Sequence, residues 1–169
     1  MLRRFDEFPI KENNYVTRHG VYGIIKKGNK LLITFQGDPH YEYQLPGGGV
    51  DSGESRFHTL HRETLEETGW IIAPERRVGA FQRYTYMPEY DLWARKVCHI
   101  YICKGIMKKS EPLHKDHNPI WVSPIKSLDL LITYRTWDSA EGIPKLGLIS
   151  AEPTDIDVVA TDGFANTTA

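Results

Sequence analysis

The chain has 169 residues, 40% hydrophobic and 25% charged, with 21 Lys+Arg against 22 Asp+Glu and a formal net charge of −1. That length fits one ordinary domain, which can bury roughly two thirds of its unfolded surface and so needs neither disulfide nor structural metal. The charge balance argues against a general nucleic-acid binder, which usually carries a basic excess, but leaves room for a nucleotide-sized ligand held by local charge. No run approaches the roughly 18–20 apolar residues of a membrane span, and the charged start MLRRFDEFPIKENN lacks the apolar stretch of a secretory signal. The two cysteines, Cys98 and Cys103, have neither redox nor zinc-ribbon spacing. Their odd separation in a strand-like run turns them to opposite faces. The expectation is a reduced, cytoplasmic protein with no membrane or nucleic-acid polymer as partner.

In chain order, Val16 to Ile25 and Lys30 to Gln36 are apolar and β-prone, and Gly28-Asn29 between them suits a tight hairpin turn. Tyr43 to Leu45 leads into Pro46-Gly47-Gly48-Gly49, which is expected to be loop. Asp51-Ser52-Gly53-Glu54 opens a helix that Gly69 stops, with Phe57, Leu60 and Thr64 on one face. Strands are expected over Val78–Tyr86 and Trp93–Cys103, a polar loop over Lys104–Asn118, a short strand at Ile120–Val122 and a second helix from Ser127 to about Trp137. Residues 1–150 are read as one domain. The polar tail from Ala151 is read as a surface extension, with room for a short strand at Asp157–Ala160. Strands outnumber helices and alternate with them irregularly, so the fold class is α/β (α+β), a mixed sheet flanked by helices.

The chemistry is concentrated between Gly48 and Trp70, GGVDSGESRFHTLHRETLEETGW. On a helix Glu63, Glu66 and Glu67 stand at i, i+3 and i+4, so three carboxylates project from one side, about a quarter-turn from the apolar stripe. Such a cluster is also the composition of an ordinary solvated face, and Arg62 can pair with Glu66 at i+4. Unpaired, the like charges weaken the helix by roughly 0.2–0.5 kcal/mol per pair. A divalent cation reverses that sign, and hard oxygen donors suit Mg²⁺ or Mn²⁺. The glycine-rich turn lets backbone approach a metal or phosphate closely, and Glu54 is placed to brace Arg62 or the glutamates.

The order Gly48, five residues, Glu54, seven residues, Arg62-Glu63, two residues, Glu66-Glu67, one residue, Gly69 resembles the Nudix box of the Nudix hydrolases. Seven fixed positions coincide by chance on the order of once in 10⁷–10⁹ windows. The preceding hairpin, the Leu-Pro-Gly-Gly approach and Trp121-Val122 before a helix are similar to the family as well, so the resemblance covers Arg18 to about Ser139. Thr64 and Trp70 stand where the family places aliphatic residues, a difference of packing rather than chemistry.

The resemblance implies an α/β/α sandwich that hydrolyses a nucleoside diphosphate linked to another group X, giving a nucleoside monophosphate and phosphate-X. It implies that Glu63, Glu66 and Glu67, with the Gly48 carbonyl, hold Mg²⁺ (Mn²⁺ as a substitute), that Glu54 and Arg62 position the glutamates, and that Glu63 or a carboxylate outside the box orients the attacking water. Asp116 and Glu111, in the loop before the last strand, are the outside candidates. For substrate contacts, the aromatic- and arginine-rich second hairpin offers Arg83, Tyr86 and Arg95, although Tyr and Trp are also ordinary strand formers. Alternation sets Trp93, Arg95, Val97, His99 and Tyr101 on one face, toward cleft or solvent, and Ala94, Lys96, Cys98, Ile100 and Ile102 on a more core-like face. The pairs His58/His61 and His114/His117 are read as surface or partly buried histidines. The family implies a monomer or homodimer. Two alternatives stand beside hydrolysis. One is a non-hydrolytic nucleotide-binding module, which the intact carboxylate set disfavours. The other is isoprenoid diphosphate isomerisation, which needs a cysteine in the cleft.

Overall fold

The computed structural model describes residues 2–4, 8–37 and 41–133. Strands β1 (Arg3–Arg4), β2 (Tyr15–Lys27), β3 (Lys30–Gln36), β4 (Glu42–Gln44) and β5 (Gly47–Gly49) precede helix α1 (Arg56–Thr68). Strand β6 (Trp70–Met87), a 3₁₀ turn (Pro88–Tyr90), β7 (Leu92–Lys108), β8 (His117–Val122) and helix α2 (Pro124–Thr133) follow. They build the expected mixed sheet with flanking helices, in the order β1-β6-β7-β2-β3-β4, with β5 paired to β2 and β8 to β3. The long β2 and β7 run parallel, from Tyr15 opposite Trp93 to Lys26 opposite Lys104. The expected domain end at 150, the tail and the strand at 157–160 lie outside the described residues.

Helix α1 follows its sequence signals. Ser55 caps it by accepting the His58 N–H at 3.2 Å, and Gly69 ends it in the left-handed region at φ 72°, donating to the Leu65 carbonyl at 2.9 Å. Leu60 and Thr64 are fully buried, while Phe57 stays largely exposed and lays its ring 5.2 Å from that of Tyr101. The helix packs on β2, β5, β6 and β8, over a core of Val21, Ile25, Leu32, Leu60, Ile72, Tyr101 and Cys103. Thr64 costs more than packing: its buried hydroxyl has no hydrogen-bond partner among the described residues. Trp70 packs edge-on against Trp121, 5.0 Å between centroids, beside that core.

Several boundaries differ from the sequence reading. Gly47–Gly49 is not loop but a strand antiparallel to β2, with Val21 opposite Gly48. Only glycine permits it at Gly47, where φ is +141° and a Cβ would stand 2.1 Å from the Val21 carbonyl oxygen. β6 begins at Trp70 rather than Val78, because bulges around Ile71/Ile72, Pro74/Arg76 and Arg77/Gly79 absorb the proline without ending the ladder. β7 runs on to Lys108 and β8 begins at His117, so the Lys104–Asn118 loop is far shorter than expected. α2 starts three residues early, at Pro124. The proline needs no N–H at a helix start, and the preceding Ser123 hydroxyl accepts from the Lys126 N–H at 3.3 Å. The end expected near Trp137 lies outside the described residues.

Both faces of β7 are buried in part: Ala94 and Cys98 are buried as expected, but so is much of the face expected toward cleft or solvent. Val97, His99, Tyr101 and Cys103 are buried on the side that meets α1, whereas Lys96 of the other set lines the cleft. Both cysteines are free and buried. Burial lifts the Cys103 thiol to about 12.

Candidate functional site

The residues between β5 and the end of α1 form one ion-pair assembly. The turn before the helix closes with the Glu54 N–H on the Asp51 carbonyl at 3.0 Å, beside Gly53 at φ +82°. This aims the Glu54 side chain along the helix. There Glu54 takes a forked pair of bonds from Arg62, Nε to Oε1 at 2.9 Å and Nη2 to Oε2 at 3.0 Å, and a third from the Thr59 hydroxyl at 2.6 Å. Arg62 first, then Thr59, hold the Glu54 carboxyl at about 2. The same guanidinium reaches Glu63 at 2.9 Å and Glu66 at 3.1 Å through Nη1. Arg62 is thus a hub whose planar fork orients two glutamates while a third anchors it.

Glu67 points elsewhere. It is buried, accepts the Gly47 N–H at 3.0 Å, and is lifted to about 8 by burial, with Glu63, Glu66 and Asp116 adding in the same direction. Burial raises the Glu63 carboxyl too. Gly48 is the point of closest approach: a Cβ there would stand 2.5 Å from the Glu63 carboxyl carbon. The strand β5 therefore presents bare backbone to the carboxylates.

These donors fit a hard divalent cation. A backbone cradle free of side chain, two carboxyls whose charge burial disfavours, and oxygen atoms throughout are what Mg²⁺ or Mn²⁺ would relieve. In the conformation described, no three His, Cys, Asp or Glu side chains among the described residues enclose a common point, since Arg62 draws Glu63 and Glu66 toward itself.

The loop before β8 folds back on the helix end. Leu113 N–H donates to the Glu66 carbonyl at 2.7 Å, and Lys109 N–H to that of Gly69 at 2.8 Å. This sets His117, buried, with Nδ1 3.7 Å from Glu67 Oε1, and His114 with Nε2 3.9 Å from Glu66. His117 is therefore a member of the site and not a surface residue. The only hint in the sequence is its place a few residues ahead of Trp121-Val122. Of the outside carboxylates, Asp116 stands 3.8 Å from His117 Nε2, whereas Glu111 is exposed and paired with Lys108 at 2.6 Å.

A cleft opens beside this edge, lined by Gly47, Gly48, Glu67 and His117, with Tyr22 in register with Gly47 and Gln36 with His117, and farther along the strands by Arg18, Lys96, Met87, Glu89 and Tyr90. Arg18 lies over the Tyr90 ring at 4.9 Å. Of the three residues expected to contact substrate, Arg83 stands in register with Lys96, on the cleft side. Arg95 and Tyr86 do not join it. Both belong to the opposite face by alternation: Arg95 donates to Gln82 at 2.8 Å, and Tyr86 donates to Asp91 and packs on Trp93.

A mixed sheet, a glycine strand and a helix of glutamates thus meet beside one cleft. The comparisons fix the family. The model of the NUDIX domain matches residues 16–146, and the chain belongs to the Nudix hydrolase family. Among curated relatives it is 43% identical over 70 residues to a putative 8-oxo-dGTP diphosphatase of Bacillus subtilis (strain 168), covering 41% of this chain and 46% of that protein. It is 36% identical over 63 residues to an ADP-ribose pyrophosphatase of Methanocaldococcus jannaschii, covering 36% and 37%. An RNA pyrophosphohydrolase of Afipia carboxidovorans is 28% identical over 85 residues, covering 50% and 51%. The matched segments thus span about half or less of those relatives. In fold, the chain is similar to a NUDIX hydrolase from Nitrosomonas europaea, with TM-score 0.56 and 18% identity over 68% of this chain and 78% of that one. It is likewise similar to the MutT protein from Methanosarcina mazei Go1, with TM-score 0.56 and 22% identity over 72% and 88%.

Proposed function

We propose that the protein is a Mg²⁺-dependent pyrophosphohydrolase that cleaves a nucleoside diphosphate linked to a group X into nucleoside monophosphate and phosphate-X. The observation that carries this reading is the Arg62 hub: one guanidinium, anchored by Glu54, orients Glu63 and Glu66, with Glu63 set against the bare Gly48 backbone that, with Gly47, Gly49 and Glu67, lines the cleft. The diphosphatase and pyrophosphatase names of the relatives support it.

Glu63, Glu66, Glu67 and the Gly48 carbonyl are the groups that would hold Mg²⁺, or Mn²⁺ in its place. When bound, the ion supplies charge neutralisation of the pyrophosphate, which otherwise repels a nucleophile, and stabilises the leaving phosphate. The protein's own part is positioning. Arg62 and Glu54 fix the carboxylates, and the Gly47 N–H holds Glu67 against the cleft. Glu63, or Asp116 across the cleft edge, orients the attacking water. The substrate is a small nucleotide-type molecule, taken by a cytoplasmic monomer or homodimer.

The test is a turnover screen of nucleoside triphosphates, dinucleoside polyphosphates, ADP-ribose, NADH, coenzyme A and nucleotide sugars, with Mg²⁺ or EDTA, read by mass spectrometry. Cleavage of one class with Mg²⁺, lost with EDTA and in Glu67→Gln, is the expected result. No cleavage of any member, with one compound still raising the melting temperature, would replace the reading with a nucleotide-binding module.

A further inference from the structure

The far end of the cleft carries a charge arrangement that the fold does not need. Arg18 on β2 lies directly opposite Lys96 on β7, and Lys96 directly opposite Arg83 on β6. Three cations therefore stand side by side across three adjacent strands, on the cleft face. Like charges directly opposed in a sheet destabilise it. All three are half-buried, so the desolvation cost adds to the repulsion. Lys96, in the middle, makes no hydrogen bond or ion pair with any described residue. Burial, followed by Arg83, depresses its ammonium, while Cys98, Glu89 and Glu42 act more weakly the other way. An apolar side chain at Lys96 would continue the buried row of Ala94 and Cys98 at no such cost. A position that gives up stability in this way, inside a binding cleft, is where function is expected to have set the residue.

We infer that the Arg18–Lys96–Arg83 row is an anion subsite that takes a second phosphate-type group of the substrate, beyond the pyrophosphate held at the glutamate edge. This rests on the hydrolase reading for its place in the reaction, but not for the existence of the subsite. Arg18 lies two residues along β2 from Gly20, which pairs with Gly49. Gly48 itself pairs with Val21, three residues from Arg18, which sets the two ends about 10 Å apart along the strand, a gap that the long Arg18 and Lys96 side chains and a chain of linked phosphates close between them. Charge-assisted contacts from Lys96 and the two guanidiniums suit phosphate oxygens, and Tyr90, held under Arg18, walls the rim. The preferred X is accordingly itself anionic, as in a nucleoside triphosphate or a phosphorylated X, rather than a neutral sugar.

The experiment has a binding arm and a turnover arm on the full chain. In EDTA, inorganic tripolyphosphate is titrated calorimetrically into wild type, Lys96→Met, Lys96→Arg, Arg18→Gln and Glu67→Gln. Wild type and Glu67→Gln are expected to bind. Lys96→Met and Arg18→Gln are expected to weaken binding about ten-fold or more, and Lys96→Arg to retain it. Lys96→Met is also expected to melt no lower than wild type. Should it fail to fold, Arg18→Gln carries the same readout. With Mg²⁺, kcat/KM of Lys96→Met is expected to fall about ten-fold or more for a nucleoside triphosphate and less than about three-fold for a nucleotide sugar. Absence of tripolyphosphate binding to wild type, or binding indifferent to Lys96 and Arg18, overturns the subsite. An equal fall for charged and neutral X overturns it as well, because Lys96 would then grip the shared pyrophosphate. Lys96-dependent binding with no turnover of any substrate would leave the subsite standing and remove the hydrolase reading.

Discussion

The two ends of the cleft carry charge by opposite rules. At the glutamate edge each carboxylate has a partner that orients it: Glu54 has Arg62 and Thr59, Glu63 and Glu66 share Arg62, and Glu67 has the Gly47 N–H. At the far end Arg18, Lys96 and Arg83 stand opposed in register, with like charge facing like. The first arrangement is prepared geometry, in which the protein fixes carboxylates at set positions, as a site for an ion requires. The second sets three cations in register along one cleft face, where an outside anion would relieve their mutual repulsion. On the proposed reading, a polyanionic substrate would be gripped at two points, through a cation at one end and directly by side chains at the other.

The comparison breaks first at Glu67. Glu67→Gln keeps an acceptor for the Gly47 N–H but removes a charge, so the fold is expected to survive while turnover falls on the order of 10²–10³-fold. Steady-state kinetics beside a melting curve check both halves. Gly48→Ala comes next. The added Cβ, 2.5 Å from the Glu63 carboxyl carbon, pushes that side chain out of place. Turnover is expected to drop about 10–100-fold, because small misplacements of catalytic groups are costly.

Stability then separates the two ends. Arg62→Met strips the partner from Glu54, Glu63 and Glu66 together, and the melting temperature is expected to fall by roughly 3–6 °C. Removing the cation at Lys96 is expected to cost nothing. A fall of the same size at both positions would mean that the far cations are as structural as Arg62.

Acid sharpens the same point. The Glu54 carboxyl sits at about 2 when folded against an ordinary value of 4.5. Its contribution is therefore present in full above about pH 4.5 and is lost as pH falls through 2. Across that window Glu54→Gln is expected to show a shallower decline in melting temperature than wild type. Smallest is Thr64→Val, which keeps the shape and removes a buried hydroxyl without a partner. It is expected to raise stability by about 1 kcal/mol, measured by urea denaturation.

What the sequence made legible depended on how local the signal was. Helix α1, its Ser55 cap and Gly69 stop, and the Arg62–Glu66 pair are all set within one or two helical turns, so spacing alone places them. The role of Glu54 in bracing Arg62 spans eight residues but lies on the same helix and its entry turn, and it too was readable. The cationic row was not. It exists only because β2 and β7 pair in parallel with Arg18 against Lys96, and nothing near either residue announces a register between strands some eighty positions apart. Alternation alone also does not say which face of the β6–β7 hairpin meets α1, so of Arg83, Tyr86 and Arg95, expected against substrate, only Arg83 shares the face of Lys96. The strand at Gly47–Gly49 was hidden for a different reason. Three glycines after a proline have no intrinsic strand preference, and the backbone of Val21 recruits them through an approach that side chains would prevent. His117 was lost to a boundary, because β8 starts three residues earlier than its apolar run and carries the histidine in against Glu67.

The most direct test of the glutamate edge is to titrate Mn²⁺ against wild type and Glu67→Gln and follow the free ion by electron paramagnetic resonance. Wild type is expected to deplete the free-ion signal, and Glu67→Gln to do so at least about ten-fold more weakly. No Mn²⁺ binding by wild type, or equal binding by the two proteins, would contradict the metal reading of that edge.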